Sequence, residues 1–449
     1  MSELDRTLKS RHVTMISIGG IIGAGLFVGS SAAIAAAGPG IIASYLLAGL
    51  VILAVMRMLS EMAAAYPRIG SFTEYARLGL GDWAAFVGGW LYWYFWVVVV
   101  AVEAIAGAII IARWIPLPPW QIGLALMIVL TAVNLLSTRT YGEFEFWFAS
   151  IKVGAIVAFI VVGAAYVLGF APEGAAGLSN LTSHGGLVPL GPVAVLAAIT
   201  TVIFSLIGAE ITIIAAAESD EPARTISRLT VAILVRILLF YVLSILLILL
   251  IIPWNEIAPG ASPFVAALER IGIPAAATLM NVIVLTAVLS CLNSGVYVTS
   301  RVLFTLAAHG DAPQSLVALS RNRVPARAIL LGSTMGYVAV LIAIVSPSTL
   351  FAFLLNASGA IMLIVYLIVA LAQIRLRKRL EAEDPARLAI RMWWFPYASW
   401  LVIAAILAVL MAMALTPALA TQVYASLSCL AVVLAAYFFL RRRRRRETT

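Results

Sequence analysis

From Val13 to Leu440 the chain is a succession of apolar runs separated by short polar connections. About 20 apolar residues in a helix cross the hydrocarbon core of a bilayer. On that ruler the sequence predicts twelve transmembrane helices, near residues 13–36, 41–65, 84–111, 121–137, 145–169, 192–217, 229–252, 275–307, 326–345, 349–373, 394–416 and 420–440. The third and eighth runs exceed the membrane thickness, so they must tilt or project. An all-α integral membrane protein is the expected fold class.

Composition agrees, with 63% hydrophobic residues, 11% charged residues and a mean hydropathy of +1.08. Soluble domains carry roughly 25% charged residues. The net charge of +9 does not point to nucleic acid, because the basic residues lie between apolar runs or at the chain ends. Their placement predicts orientation instead. With the N-terminus in the cytoplasm, Arg113 and Arg270 are the only two of 29 basic residues on the outer side. Both termini are therefore expected inside, and Arg441–Arg446 forms a basic tail suited to anionic lipid headgroups. The polar start MSELDRTLKSRH shows no cleavage signal. Two cysteines, Cys291 and Cys429, give no disulfide framework.

The first run contains IGGIIGAGLF, with Gly19, Gly20, Gly23 and Gly25 at mid-membrane depth. Each glycine weakens a helix by roughly 1 kcal/mol relative to alanine, so the cluster predicts an interrupted helix. Unwound backbone at that depth survives only inside protein or along a cavity. The alternative is close helix packing through small residues spaced four apart. The sixth run, VIFSLIGAEITIIAAAE, repeats the anomaly at Ser205, Gly208 and Glu210. Five spans separate the two, so the second break lies in a helix of opposite direction. Paired breaks of this kind point to an inverted-repeat transporter with its site at the midplane.

Such a site answers a free amino acid without charged side chains. Unpaired N–H groups around Ala24 and Gly25 suit a carboxylate, and carbonyls around Ile21, Phe204 and Ile207 suit an ammonium. Ionisable residues inside the membrane are functional candidates. Glu103 either meets a substrate amine or a proton, or bonds a neighbouring span. For Glu210 a structural bond beside the second break is favoured over proton binding. Lys152 lies roughly 10 Å inside the membrane boundary if its span begins near Glu145. It either snorkels to the headgroups or takes up and releases a proton in each cycle. The aromatic run from Trp90 to Trp96 is expected mostly to pack, with one or two rings walling the cavity. His12, His184 and His309 sit in polar flanks, and nothing resembles a metal site, a nucleophile–base pair or a nucleotide loop.

SRHVTMISIGGIIGAGLFVGSS, MRMLSEMAAAYPRIGSFTEYA, GWLYWYFWVVVVAVEA, YGEFEFWFASIKV, GAEITIIAAAESDEP, RILLFY and SCLNSGVY resemble the amino acid transporter family of the amino acid–polyamine–organocation superfamily. Its bacterial GABA-permease branch is the most similar. The resemblance implies a five-plus-five inverted repeat, with residues 13–169 and 192–373 as the two halves and 394–440 as two added helices. It implies secondary, proton-coupled uptake of an amino acid across the cytoplasmic membrane. The implied substrate site is Ile21, Gly23, Ala24, Gly25, Phe204, Ile207 and Gly208, with Glu103 beside it. Lys152 and Glu210 are implied in proton coupling or gating, and Cys291 in substrate access. Gly25 stands where that branch carries serine, which keeps proline, neutral and aromatic amino acids open beside GABA. The expected partners are an amino acid, a proton and membrane lipid, with no nucleic acid and no cofactor. A channel needs a continuous lined pore and an enzyme needs a catalytic constellation; paired breaks fit neither.

Overall fold

The structure, a computed structural model, describes residues 22–66, 72–136, 138–170, 177–208, 210, 237–321, 324–344 and 347–447. Those residues form helices and turns only. In chain order the helices are α1 (Ala24–Phe27), α2 (Gly29–Ala37), α3 (Ile41–Ala65), α4 (Phe72–Leu80), α5 (Asp82–Ile111), α6 (Pro119–Leu136), α7 (Thr138–Val167), α8 (Ser179–Thr182), α9 (Gly191–Leu206), α10 (Ser244–Ile251), α11 (Pro263–Arg270), α12 (Pro274–Ala308), α13 (Ala326–Ile342), α14 (Pro347–Glu383), α15 (Tyr397–Leu415) and α16 (Pro417–Glu447).

Each of the twelve expected spans has a described helix at its place. Among the described residues eight helical stretches are long and apolar enough to cross a membrane, while Gly191–Leu206, Leu238–Ile251 and Ala326–Ile342 are apolar but shorter. The sixth and seventh spans continue into residues 209 and 211–236, which lie outside the described residues. Some helices outrun their apolar segments. α7 starts at Thr138 rather than 145, and α14 continues past 373 to Glu383. Arg377 and Arg379 there pair with Glu381 and Glu383 one turn on, a spacing that supports helix beyond the bilayer.

Burial orders the bundle. In α5 and α14, 83% of the most apolar window is buried, against 28% in α6 and 17% in the last span, so the first two are central and the others peripheral. α5 packs along α12, α14 and α13. Apolar side chains all round a helix are the signature of such a buried position. α14 and α9 meet backbone to backbone: a Cβ on Gly359 would lie 2.0 Å from the Thr200 carbonyl oxygen.

Polar ties fix the register between spans. Asn356 on α14 accepts from the Thr201 hydroxyl on α9 at 2.6 Å. Buried Glu61 near the end of α3 accepts from Arg377 at 2.5 Å and Gln373 at 2.7 Å, and from the Met392 amide at 2.5 Å. A buried carboxylate is tolerated only with such partners.

Candidate functional site

Both breaks fall where the sequence places them. In the first span a helix begins at Ala24, and Gly23 before it is extended (φ −137°, ψ −150°). Ile21, Gly19 and Gly20 lie outside the described residues. In the sixth span α9 ends at Leu206, Ile207 is extended and Gly208 takes φ +108°, a left-handed conformation open to glycine. The two ends face each other across a cavity of about 20 Å³ lined by Gly25, Phe95, Trp96, Glu103, Phe204 and Cys291, among others. That is room for about one water, so an amino acid enters only if the aromatic walls move. Phe95 and Phe204, with ring centroids 6.1 Å apart, are the two walls that meet across it.

The glycines do more than break the helix. A Cβ on Gly25 would lie 2.8 Å from the Ser205 Cα, and one on Gly23 2.5 Å from Glu103 Oε1 and 2.8 Å from the Cys291 Cβ. Interruption and close packing, alternatives in the sequence, hold together here. Without a Cβ, Gly23 lets the Glu103 and Cys291 side chains converge on the start of α1.

Glu103 has a definite partner. Both its oxygens lie 3.0 Å from the Ala24 amide, which donates to the carboxylate. An internal carboxylate thus holds the helix N-terminus that suits an external one. At the second break Glu210 bonds within its own span. Its Oε2 accepts from the Gly208 amide at 2.9 Å, and its Oε1 accepts from the Tyr92 hydroxyl at 3.1 Å.

Lys152 is fully buried, so it does not snorkel. Its ammonium donates to the Ser290 hydroxyl at 2.8 Å, and that hydroxyl donates to Glu145 at 2.6 Å. Lys152 Nζ lies 3.8 Å from Glu145 Oε1. The two are seven residues apart on α7, hence on one face and about 10 Å apart along the axis; their long side chains close that gap around Ser290. Ser290 and Cys291 are neighbours on α12, one meeting Lys152 and the other lining the central cavity beside Glu103. Among the described residues no three His, Cys, Asp or Glu side chains are grouped to hold a metal ion.

Residues 12–449 match the family described as amino acid permease. The chain belongs to that family. The permease is 51% identical over 415 residues to the gamma-aminobutyric acid permease of Bacillus subtilis (strain 168), covering 92% of this chain and 88% of that one. It is 47% identical over 421 residues to the gamma-aminobutyric acid permease of Escherichia coli (strain K12), covering 93% and 90%. With the aromatic amino acid transport protein AroP of Corynebacterium glutamicum it shares 40% identity over 395 residues, covering 87% and 85%. The permease is accordingly a multi-pass membrane transporter of amino acids.

Two features of the permease escaped the sequence reading. Glu145 had the look of a span boundary, since a charge at the end of an apolar run usually marks the interface. In the fold it is 1% exposed and faces Lys152. Tyr92 had no distinguishing mark within the aromatic run, yet it alone of that run bonds the second break among the described contacts. For Glu145 the signal was its spacing of seven from Lys152. For Tyr92 there was none.

Proposed function

We propose that the permease carries GABA or a closely related small amino acid together with a proton, by alternating access, with both termini in the cytoplasm of a bacterial cell. The observation that carries this reading is the Glu103 carboxylate on the Ala24 amide. That amide is the natural seat of a substrate carboxylate. An incoming amino acid displaces Glu103, takes the Ala24 and Gly25 amides, and leaves Glu103 beside the cavity to meet its ammonium. Phe204 and Ile207 border the other side, with Gly208 next in the chain. The relatives named GABA permeases support GABA as the substrate; the AroP relative keeps a larger apolar amino acid as the second reading.

Lys152 is the coupling residue in this proposal, with Ser290 and Glu145 as its seat. Proton uptake or loss there alters how α7 holds α12, whose Cys291 borders the substrate cavity. In this reading residues 13–169 and 192–373 are the two inverted repeats of one transport core, and 394–440 adds two helices to it. The test is accumulation of radiolabelled GABA in proteoliposomes under an imposed pH gradient, with sodium absent and a panel of amino acids as competitors. Lys152→Ala should retain exchange and lose accumulation. Full accumulation by that variant would remove the lysine from coupling, and sodium-dependent uptake by the unmodified protein would remove the proton.

A further inference from the structure

A second and larger cavity, about 210 Å³, lies beside the first turns of α5, between α4 and the last turns of α12. Its mouth is charged and solvated. There Arg77 bonds Asp82 and Asp311, each at 2.6 Å, and Glu74 at 3.2 Å. Burial alone would lower the Arg77 pKa, but the bonds to Asp311 and Asp82 outweigh it and hold the guanidinium above its ordinary value. His309, 42% exposed, lies 3.6 Å from Glu74. Arg77 is thus fully engaged by carboxylates.

Arg301 is not. It lines the same cavity, two turns before His309 on α12, which places it about 12 Å deeper along that helix. The face of its guanidinium lies 4.8 Å from the Tyr297 ring centroid. Its Nε and Nη1 are buried and donate to no acceptor among the described residues. Leaving charged donors buried and unsatisfied is costly, and arginine's planar fork matches a carboxylate. The cavity floor is Tyr92, whose ring lies 6.3 Å from that of Trp96, and Trp96 lines the central cavity. Ala85, Gly89, Tyr92, Trp96, Val99 and Glu103 recur every three or four residues, so one face of α5 runs from this cavity to the centre.

We propose that this cavity is a second binding site for the transported amino acid, in which Arg301 takes its carboxylate between the central site and the cytoplasm. The acidic mouth, Glu74 and Asp311, faces the ammonium. The mouth draws the ammonium of an entering amino acid and Arg301 takes its carboxylate deeper in, whereas an anion without an amine meets Arg301 only. The proposal rests on the substrate and orientation proposed above.

The test is equilibrium exchange of radiolabelled GABA in right-side-out and inverted membrane vesicles, with butyrate and n-butylamine as one-charge competitors. From the cytoplasmic face, butyrate should inhibit at least tenfold more strongly than from the outer face. Arg301→Gln should raise the half-saturating GABA concentration about tenfold at the cytoplasmic face, change it less than twofold at the outer face, and remove the excess of butyrate inhibition at the cytoplasmic face, leaving only what the Ala24 and Gly25 amides permit from either side. Arg301→Lys, which keeps the charge, should recover part of both. Equal inhibition by butyrate from the two faces would overturn the site, as would Arg301→Gln acting on both faces alike or on neither. If Arg301→Gln fails to insert, butyrate sidedness on the unmodified protein and on Arg301→Lys decides. No GABA exchange by the unmodified protein would refute the substrate reading instead, and the same design then runs with the amino acid it does exchange. Butyrate sidedness at the outer face would keep the site and reverse the orientation.

Discussion

Glu145→Gln removes one charge from the Lys152 pair while keeping the shape and an acceptor for the Ser290 hydroxyl. In the fold Lys152 and Glu145 are at most 1% exposed and 3.8 Å apart. Breaking a buried ion pair from one side costs about 3–5 kcal/mol, because the other charge stays buried. At neutral pH the variant should therefore lose about 3–5 kcal/mol of stability. Lys152→Met leaves the opposite charge behind and should cost a similar amount. The double variant leaves neither charge and should be more stable than either single one, since apolar replacement of a whole buried pair is often near neutral. The assay is thermal unfolding of detergent-solubilised protein for all four members of the cycle. A Glu145→Gln protein within about 1 kcal/mol of the parent, or a double variant as unstable as the two singles summed, would show that Lys152 and Glu145 do not face each other as charges.

Three further outcomes follow from the geometry. Gly25→Leu should abolish amino acid binding while the protein still inserts, because the new side chain begins 2.8 Å from the Ser205 Cα; normal affinity in a binding assay would exclude the central cavity as the site. Glu103→Gln keeps an acceptor for the Ala24 amide but loses the charge offered to an ammonium, so affinity should fall about tenfold, or 1.4 kcal/mol; uptake kinetics unchanged for every amino acid tried would return Glu103 to a purely structural role. Gly359→Ala puts a methyl 2.0 Å from the Thr200 carbonyl oxygen, and forcing α9 and α14 apart should lower stability by about 1–3 kcal/mol, read as a drop in the thermal midpoint.

Much of this fold is legible in one sequence because a bilayer imposes a single length and demands an internal bond for every backbone group. Violations then stand out, which is why the glycine cluster near Gly23 and the Gly208–Glu210 segment mark the centre. What one sequence does not contain is which distant residues meet. Glu103 and Ala24 are 79 positions apart, and Lys152 and Ser290 are 138 apart. Each end carries a visible signal, a lone charge or a break, but the pairing comes from packing. Arg301 was legible by the same rule as Glu103, a charge within an apolar run. It went unread because it lies near the end of its span, where an arginine usually reaches for water.

One of the two most buried long helices, α5, holds both breaks. On α5, Glu103 bonds the start of α1, and Tyr92 bonds Glu210, which itself holds the Gly208 amide. Eleven residues separate Tyr92 from Glu103, about 16 Å along the axis, with Trp96 and Val99 of the central cavity between them. One clasp therefore lies at each end of the cavity, and both are closed. A hydrogen bond to a charged group contributes about 1.5–3 kcal/mol, which is within what a substrate carboxylate competing for the Ala24 amide can offset. On the alternating access proposed above, loss of the Glu103 clasp would loosen α1 on α5 while Tyr92 still holds Glu210, and loss of the other would do the reverse. One weak clasp per broken helix would then let the two ends open in turn, and simultaneous opening would require losing both at once.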